Sequence, residues 1–200
     1  MIEFKEIYRE IQSHTLVSED RCRILYDSLY ETNNIKGDVF ECGVFKGGTA
    51  MMLSAILPKN KSLHLFDTFE GMPSVNTDKD NYHKKGDFSN TSLESVIDKV
   101  EKVSGDNVVW FHKGFIPDTF KDKSHYKISF AHVDVDIYQS VLDCCEFIYP
   151  RLCDGGIIVF DDYGFNTCKG AKLAVDEFFS DKPENVEVLN TKQAVVRRVI

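Results

Sequence analysis

Two short acidic motifs late in the chain carry its densest chemistry: His132-Val133-Asp134-Val135-Asp136-Ile137-Tyr138 and Asp161-Asp162-Tyr163-Gly164. Each follows an apolar run, Phe130-Ala131-His132-Val133 or Ile157-Ile158-Val159-Phe160, so the acids stand at the ends of candidate strands. Carboxylates gathered at one sheet edge repel, and a bound cation relieves that repulsion. Oxygen donors with no neighbouring Cys-His pattern suit Mg²⁺, Mn²⁺ or Ca²⁺ better than Zn²⁺. Side chains alternate along a strand, so Asp134, Asp161 and Asp162 are the expected ligands and Asp136 is expected to cap the next helix. The plainer alternative is that these acids cap helices and line a solvated rim.

A second constellation lies earlier. Glu41-Cys42-Gly43-Val44-Phe45-Lys46-Gly47-Gly48-Thr49 ends one strand candidate and opens a helix. Glycines permit a tight turn and close backbone approach, and a helix N-terminus offers unpaired N–H groups. The next strand candidate ends at Asp67, an acid placed to accept from ribose hydroxyls of a nucleoside. Asp67 could equally cap residues 68–71, and glycine turns alone are a weak signal. Taken together, the turn and the acid predict nucleoside binding. His132 shares the face of Asp134 and reads as a hydrogen-bonded core histidine, as do His64 and His112 within their strand patterns.

The elements that must position these groups alternate. Strands are predicted at 38–41, 62–67, 107–112, 128–134 and 156–160, with helices at 48–57, 92–103, 137–149 and 169–179. Such alternation predicts a mostly parallel, doubly wound α/β sheet with helices on both faces. Residues 186–189 and 194–200 read as closing strands, plausible as an antiparallel edge. Residues 1–36 read as an amphipathic helical segment, with Phe4, Ile7, Tyr8 and Ile11 at helical spacing and Ser18 as a possible cap for a second helix. The expected division is therefore a helical N-terminal segment, 1–36, and one catalytic domain, 37–200.

The 200 residues, 42% hydrophobic, suffice for one buried core. A formal net charge of −8 disfavours nucleic acid as a partner, because counterion displacement needs a basic face. The N-terminal residues lack an apolar run and no stretch is long enough to span a bilayer, so no membrane association is expected. The six cysteines contain no CxxC pair and read as reduced thiols of a cytoplasmic protein, with Cys42, Cys144 and Cys145 as small core residues.

The motifs FECGVFKGGT (40–49), FDTFEGMP (66–73), HVDVDIY (132–138) and DDYG (161–164) together resemble the macrocin O-methyltransferase family. The likeness continues through Cys168-Lys169-Gly170-Ala171 and covers roughly residues 37–180. It implies a Rossmann-like class I methyltransferase fold and an S-adenosylmethionine-dependent O-methyltransferase acting on a sugar or glycosylated small molecule. Under the resemblance, Glu41, Gly43, Gly47 and Thr49 hold the methionine part of the cofactor, Asp67 the ribose, and Phe69 lies near the adenine. Asp134, Asp161 and Asp162 bind Mg²⁺, Asp134 also touches the cofactor site and serves as general base, and residues 72–90 form a lid containing His83. A homo-oligomer, dimer or larger, is implied. Two rivals use the same sheet differently. An NAD-dependent oxidoreductase could employ Asp67 but not the Gly43-to-Gly47 spacing, and it leaves the four distal carboxylates without a task; a catalytically silent partner subunit has no positive support, because the acids and glycines are all present.

Overall fold

In a computed structural model, residues 3–199 are described. They form a seven-stranded sheet of order β3-β2-β1-β4-β5-β7-β6, whose strands are β1 (Asp38–Cys42), β2 (Ser62–Asp67), β3 (Val108–Lys113), β4 (Ile128–Val133), β5 (Leu152–Phe160), β6 (Glu187–Val188) and β7 (Ala194–Arg197). β1 to β5 are mutually parallel, while β7 runs antiparallel to β5 and β6 antiparallel to β7. This is the doubly wound arrangement expected, with its antiparallel closure. Among the described residues six α-helices accompany it: α1 (Phe4–Ile11), α2 (Glu19–Glu31), α3 (Gly48–Ala55), α4 (Leu93–Ser104), α5 (Tyr138–Ile148) and α6 (Lys169–Phe179). Among the described residues, no helix is long and apolar enough to cross a membrane.

Period-two alternation sorts the strand residues between two cores. Val39, Leu65, Phe130 and Ile157 face α1 to α4, whereas Phe40, Phe66, Ala131 and Ile158 face α5 and α6. Helix α3 is apolar on all sides and Gly48 to Ser54 are all buried, because α1 and α2 form a second layer over it. Phe4, Ile7, Ile11, Leu25 and Leu29 are each at most 5% exposed within that layer. Each such side chain contributes roughly 1.5–3 kcal/mol by leaving water. The N-terminal segment is thus part of the same core rather than an appendage.

Element ends differ modestly from expectation. β5 begins at Leu152 instead of 156, where Gly155, at φ +74°, and its neighbours pair with the backbone of Arg198. The final strand reaches only Arg197, and the expected end at Ile200 lies outside the described residues. Ser18 does occupy the N-cap of α2, but its hydroxyl accepts from Arg21 Nε at 3.3 Å and not from the helix amides.

Candidate functional site

Strand order reverses between β1 and β4, and at such a switch point a crevice opens beyond the carboxyl ends of the strands. A cleft of about 290 Å³ occupies this position. Loop backbones close its floor: Gly43 N–H donates to Phe66 O (2.9 Å), Asp134 N–H to Cys42 O (2.8 Å) and Asp161 N–H to Val133 O (2.9 Å). Gly43 is indispensable to this knot. Its φ is +86°, and a Cβ there would stand 1.7 Å from the carbonyl oxygen of Asp134.

On one side of the cleft the glycine turn is braced by Asp67. Its Oδ2 accepts from the amides of Val44 (2.7 Å) and Phe45 (2.9 Å), and its Oδ1 from that of Phe69 (2.7 Å). The carboxylate therefore anchors the turn while still lining the cleft alongside Gly43 and Thr49. Three expected contact residues do not line it. Glu41 is fully buried and turned to His132, Gly47 lies under Val96 as the N-cap of α3, and Phe69 is 2% exposed among core side chains. Strand alternation explains Glu41, whose side chain points into the sheet's interior instead of out along the strand. Phe69 stands at φ +54°, and its side chain belongs to the core on the α1 to α4 side of the sheet.

On the other side are the acids. Oxygens of Asp134, Asp161 and Asp162 lie within 4.8 Å of one another. Burial raises the Asp134 carboxyl well above the ordinary range, and the charges of Asp161 and Asp162 add to the effect. Burial and Asp161 likewise push Asp162 up to about 6, although its Oδ2 accepts from the Asp136 amide at 2.9 Å. Asp161 behaves oppositely. Burial would raise it, but His132, Arg21 and Gln193 outweigh that and hold it below its usual value. Arg21 forms an ion pair with Asp161 Oδ2, and Gln193 Nε2 donates to Oδ1 at 2.8 Å.

His132 is a buried cation in all but name. Its Nδ1 lies 3.0 Å from Glu41 Oε1 and its Nε2 3.8 Å from Asp161 Oδ1. Burial opposes protonation, but the two carboxylates overcome it and push the imidazole up to about 10. As expected, His132 is a partnered core residue, and so are His64 and His112, whose Nδ1 and Nε2 approach to 3.1 Å. Asp136 does not cap α5. Asp80 does so, accepting the Tyr138 amide at 3.1 Å, because Asp136 at φ +60° turns away toward His83 and Cys168. His83 reaches the cleft from segment 72–90.

Several residues here carry no signal in the sequence. Arg21 stands 140 positions from Asp161 and approaches it only because α1 and α2 fold back over the sheet. Gln193 comes from the turn before β7, and Thr15, Leu16 and Val17 line the cleft from the link between α1 and α2. Only the tertiary path brings them together. A three-carboxylate oxygen set accords with a hard divalent cation. Donors of that type converge at Asp134, Asp161 and Asp162, so the residues fit such an ion.

Comparison with known proteins gives a consistent result. Residues 9–194 match the sequence model of the macrocin-O-methyltransferase (TylF) family. An 8-demethyl-8-(2,3-dimethoxy-alpha-L-rhamnosyl)-tetracenomycin-C 4'-O-methyltransferase from Streptomyces olivaceus is 29% identical over 150 residues, which is 70% of this chain and 58% of that protein. A mycinamicin III 3''-O-methyltransferase from Micromonospora griseorubida is 27% identical over 175 residues, 80% of this chain and 68% of that one. The solved structure of the O-methyltransferase NovP superposes with a TM-score of 0.82 at 25% identity, covering 94% of this chain and 83% of NovP. The chain spans 58% of the length of the first of these curated relatives and 68% of the second.

Proposed function

This chain belongs to the macrocin-O-methyltransferase family, and on that premise we propose that it is an S-adenosylmethionine-dependent O-methyltransferase. Its acceptor is a hydroxyl of a sugar or a glycosylated small molecule, and it requires a divalent ion, Mg²⁺ before Mn²⁺ or Ca²⁺. One observation carries the reading: a single cleft joins a glycine turn braced by Asp67 to the cluster of Asp134, Asp161 and Asp162. Two named sugar-modifying relatives support the class of acceptor.

In this scheme Gly43 leaves room for the cofactor against the β1 loop, and Thr49 bounds it at the start of α3. Asp67 keeps its accepting edge toward the ribose while holding the loop rigid. Asp134, Asp161 and Asp162 hold the divalent ion, and Arg21 and Gln193 fix the orientation of Asp161. The ion would supply positive charge that lowers the pKa of an acceptor hydroxyl, a need that arises because sugar hydroxyls are poor nucleophiles at neutral pH. Asp134, which lines the cleft at the end of β4, takes the proton of that hydroxyl. Thr15, Leu16 and Val17 with segment 72–90 exclude water on the acceptor side.

Calorimetric titration with S-adenosylhomocysteine, in Mg²⁺ and then in EDTA, tests this reading. Binding in both conditions, with methyl transfer to a sugar acceptor only when metal is present, is the expected result. Failure to bind under either condition overturns it.

A further inference from the structure

Segment 72–90, the loop after β4 and the start of α6 each deliver one side chain to a single point on the rim of the cleft: His83, Asp136 and Cys168. His83 Nε2 lies 3.5 Å from Cys168 Sγ and 3.6 Å from Asp136 Oδ1, and Cys168 Sγ lies 3.6 Å from the same Oδ1. For N–H···O bonding, 3.6 Å is too long. As the edges of a coordination tetrahedron the lengths are apt. Zinc holds sulfur at about 2.3 Å and nitrogen or oxygen at about 2.0–2.2 Å, and tetrahedral angles then separate the donor atoms by roughly 3.3–3.6 Å.

We propose that His83, Asp136 and Cys168 form a Zn²⁺ site, separate from the three-aspartate cluster, with its fourth position open to the cleft. Two further observations bear on it. Asp87 Oδ2 lies 3.6 Å from the remaining ring nitrogen of His83, Nδ1, beyond hydrogen-bond range but near enough to attract an imidazole made more acidic by a metal. The His83 side chain is also only 7% exposed, so the imidazole is directed inward to the other two donors. The donor sets differ in kind. Thiolate and imidazole select zinc-like ions, whereas an all-carboxylate set selects hard ions such as Mg²⁺. Chain alternation conceals the site from the sequence, because its members lie in three separate loops.

On loading, the Cys168 thiol proton and any proton held by Asp136 pass to solvent as the metal–ligand bonds form, and no oxidation state changes. The ion ties segment 72–90 to α6 and to the loop between β4 and α5, fixing one wall of the cleft. This site does not depend on the methyl-transfer reading, since its readout is metal binding alone.

The test is titration of chelator-stripped full-chain protein with Co²⁺, the spectroscopic stand-in for Zn²⁺. Wild type is expected to show a thiolate-to-cobalt charge-transfer band that saturates at about one equivalent per chain and is displaced by Zn²⁺. Cys168→Ser abolishes the band, His83→Ala weakens Co²⁺ binding by roughly 10- to 100-fold, and Asp161→Asn leaves the band in place. Circular dichroism of each variant reports folding, and His83→Ala, which lies in segment 72–90 outside the helices and strands, carries the test if Cys168→Ser fails to fold. Absence of the band in wild type, its survival in folded Cys168→Ser, or undiminished affinity in His83→Ala overturns the proposal.

Discussion

The two sides of the cleft are built on different principles. The glycine turn is held by backbone amides that converge on one carboxylate, Asp67, and is complete in the protein alone. Among the described residues, the acid side gathers Glu41, Asp134, Asp161 and Asp162 around Arg21 and His132. A turn satisfied by its own backbone gains little from a counter-ion. A carboxylate cluster with too few cations remains electrostatically strained until a cation or protons arrive. Cofactor binding is therefore expected to ignore metal, while stability and chemistry on the acid side depend on it.

The largest effect should come from removing the buried cation. His132→Leu leaves Glu41 and Asp161 without their shared partner, and breaking a buried ion pair costs roughly 3–5 kcal/mol. Urea unfolding measures it, and a loss under about 1 kcal/mol would mean that the histidine is not the keystone of this side. Next is Asp161→Asn, expected to lower methyl transfer by about 100-fold or more, ~2.7 kcal/mol of barrier, with S-adenosylhomocysteine affinity nearly unchanged. Equal losses in both would erase the division between the two sides. The mirror experiment is Asp67→Ala, which strands three loop amides and should weaken cofactor binding by roughly 1–3 kcal/mol. Titration calorimetry in Mg²⁺ and in EDTA should give the same loss, and a metal-dependent loss would contradict the comparison.

The same contrast governs what could be read from the sequence. Strand identity and order of chemistry were legible because alternation and the glycine and aspartate motifs are local, as with 62–67 and 169–179, which match β2 and α6. The clustering of Asp134, Asp161 and Asp162 is legible because Asp134 and the Asp161-Asp162 pair stand at the ends of the adjacent strands β4 and β5. Arg21, Gln193 and the meeting of His83 with Cys168 were not, since each depends on chain segments that are remote in sequence. The capping role expected of Asp136 passed to Asp80 for a related reason. Asp136, at φ +60°, turns its carboxylate to His83 and Cys168, and an acid from segment 72–90 fills the position. The pairing of Glu41 with His132 is likewise hidden, because a motif position says nothing of which face of β1 a residue occupies.

The smallest predicted effect is also the most diagnostic. Asp162 has a folded-state value of about 6 and Asp134 is raised well above its ordinary range. A carboxyl raised on folding binds its proton more tightly in the folded chain, so its penalty is absent below the unfolded value near 4 and complete above the folded one. The His132 contribution runs in the same direction: it is full below about 6.5 and is lost as pH rises toward its folded value of about 10. Asp161, lowered on folding, adds stability that is lost only in acid below the window considered. Metal-free protein should accordingly be more stable near pH 5 than near pH 8. Mg²⁺ neutralises the same carboxylates that protons neutralise at the lower pH. It should raise the Tm by about 2–4 °C per kcal/mol of relief near pH 8 and by much less near pH 5. Thermal melts in EDTA and in Mg²⁺ at the two pH values decide the matter. An equal Mg²⁺ shift at both would place the ion elsewhere than among Asp134, Asp161 and Asp162, and the acid side would then need no cation to be complete.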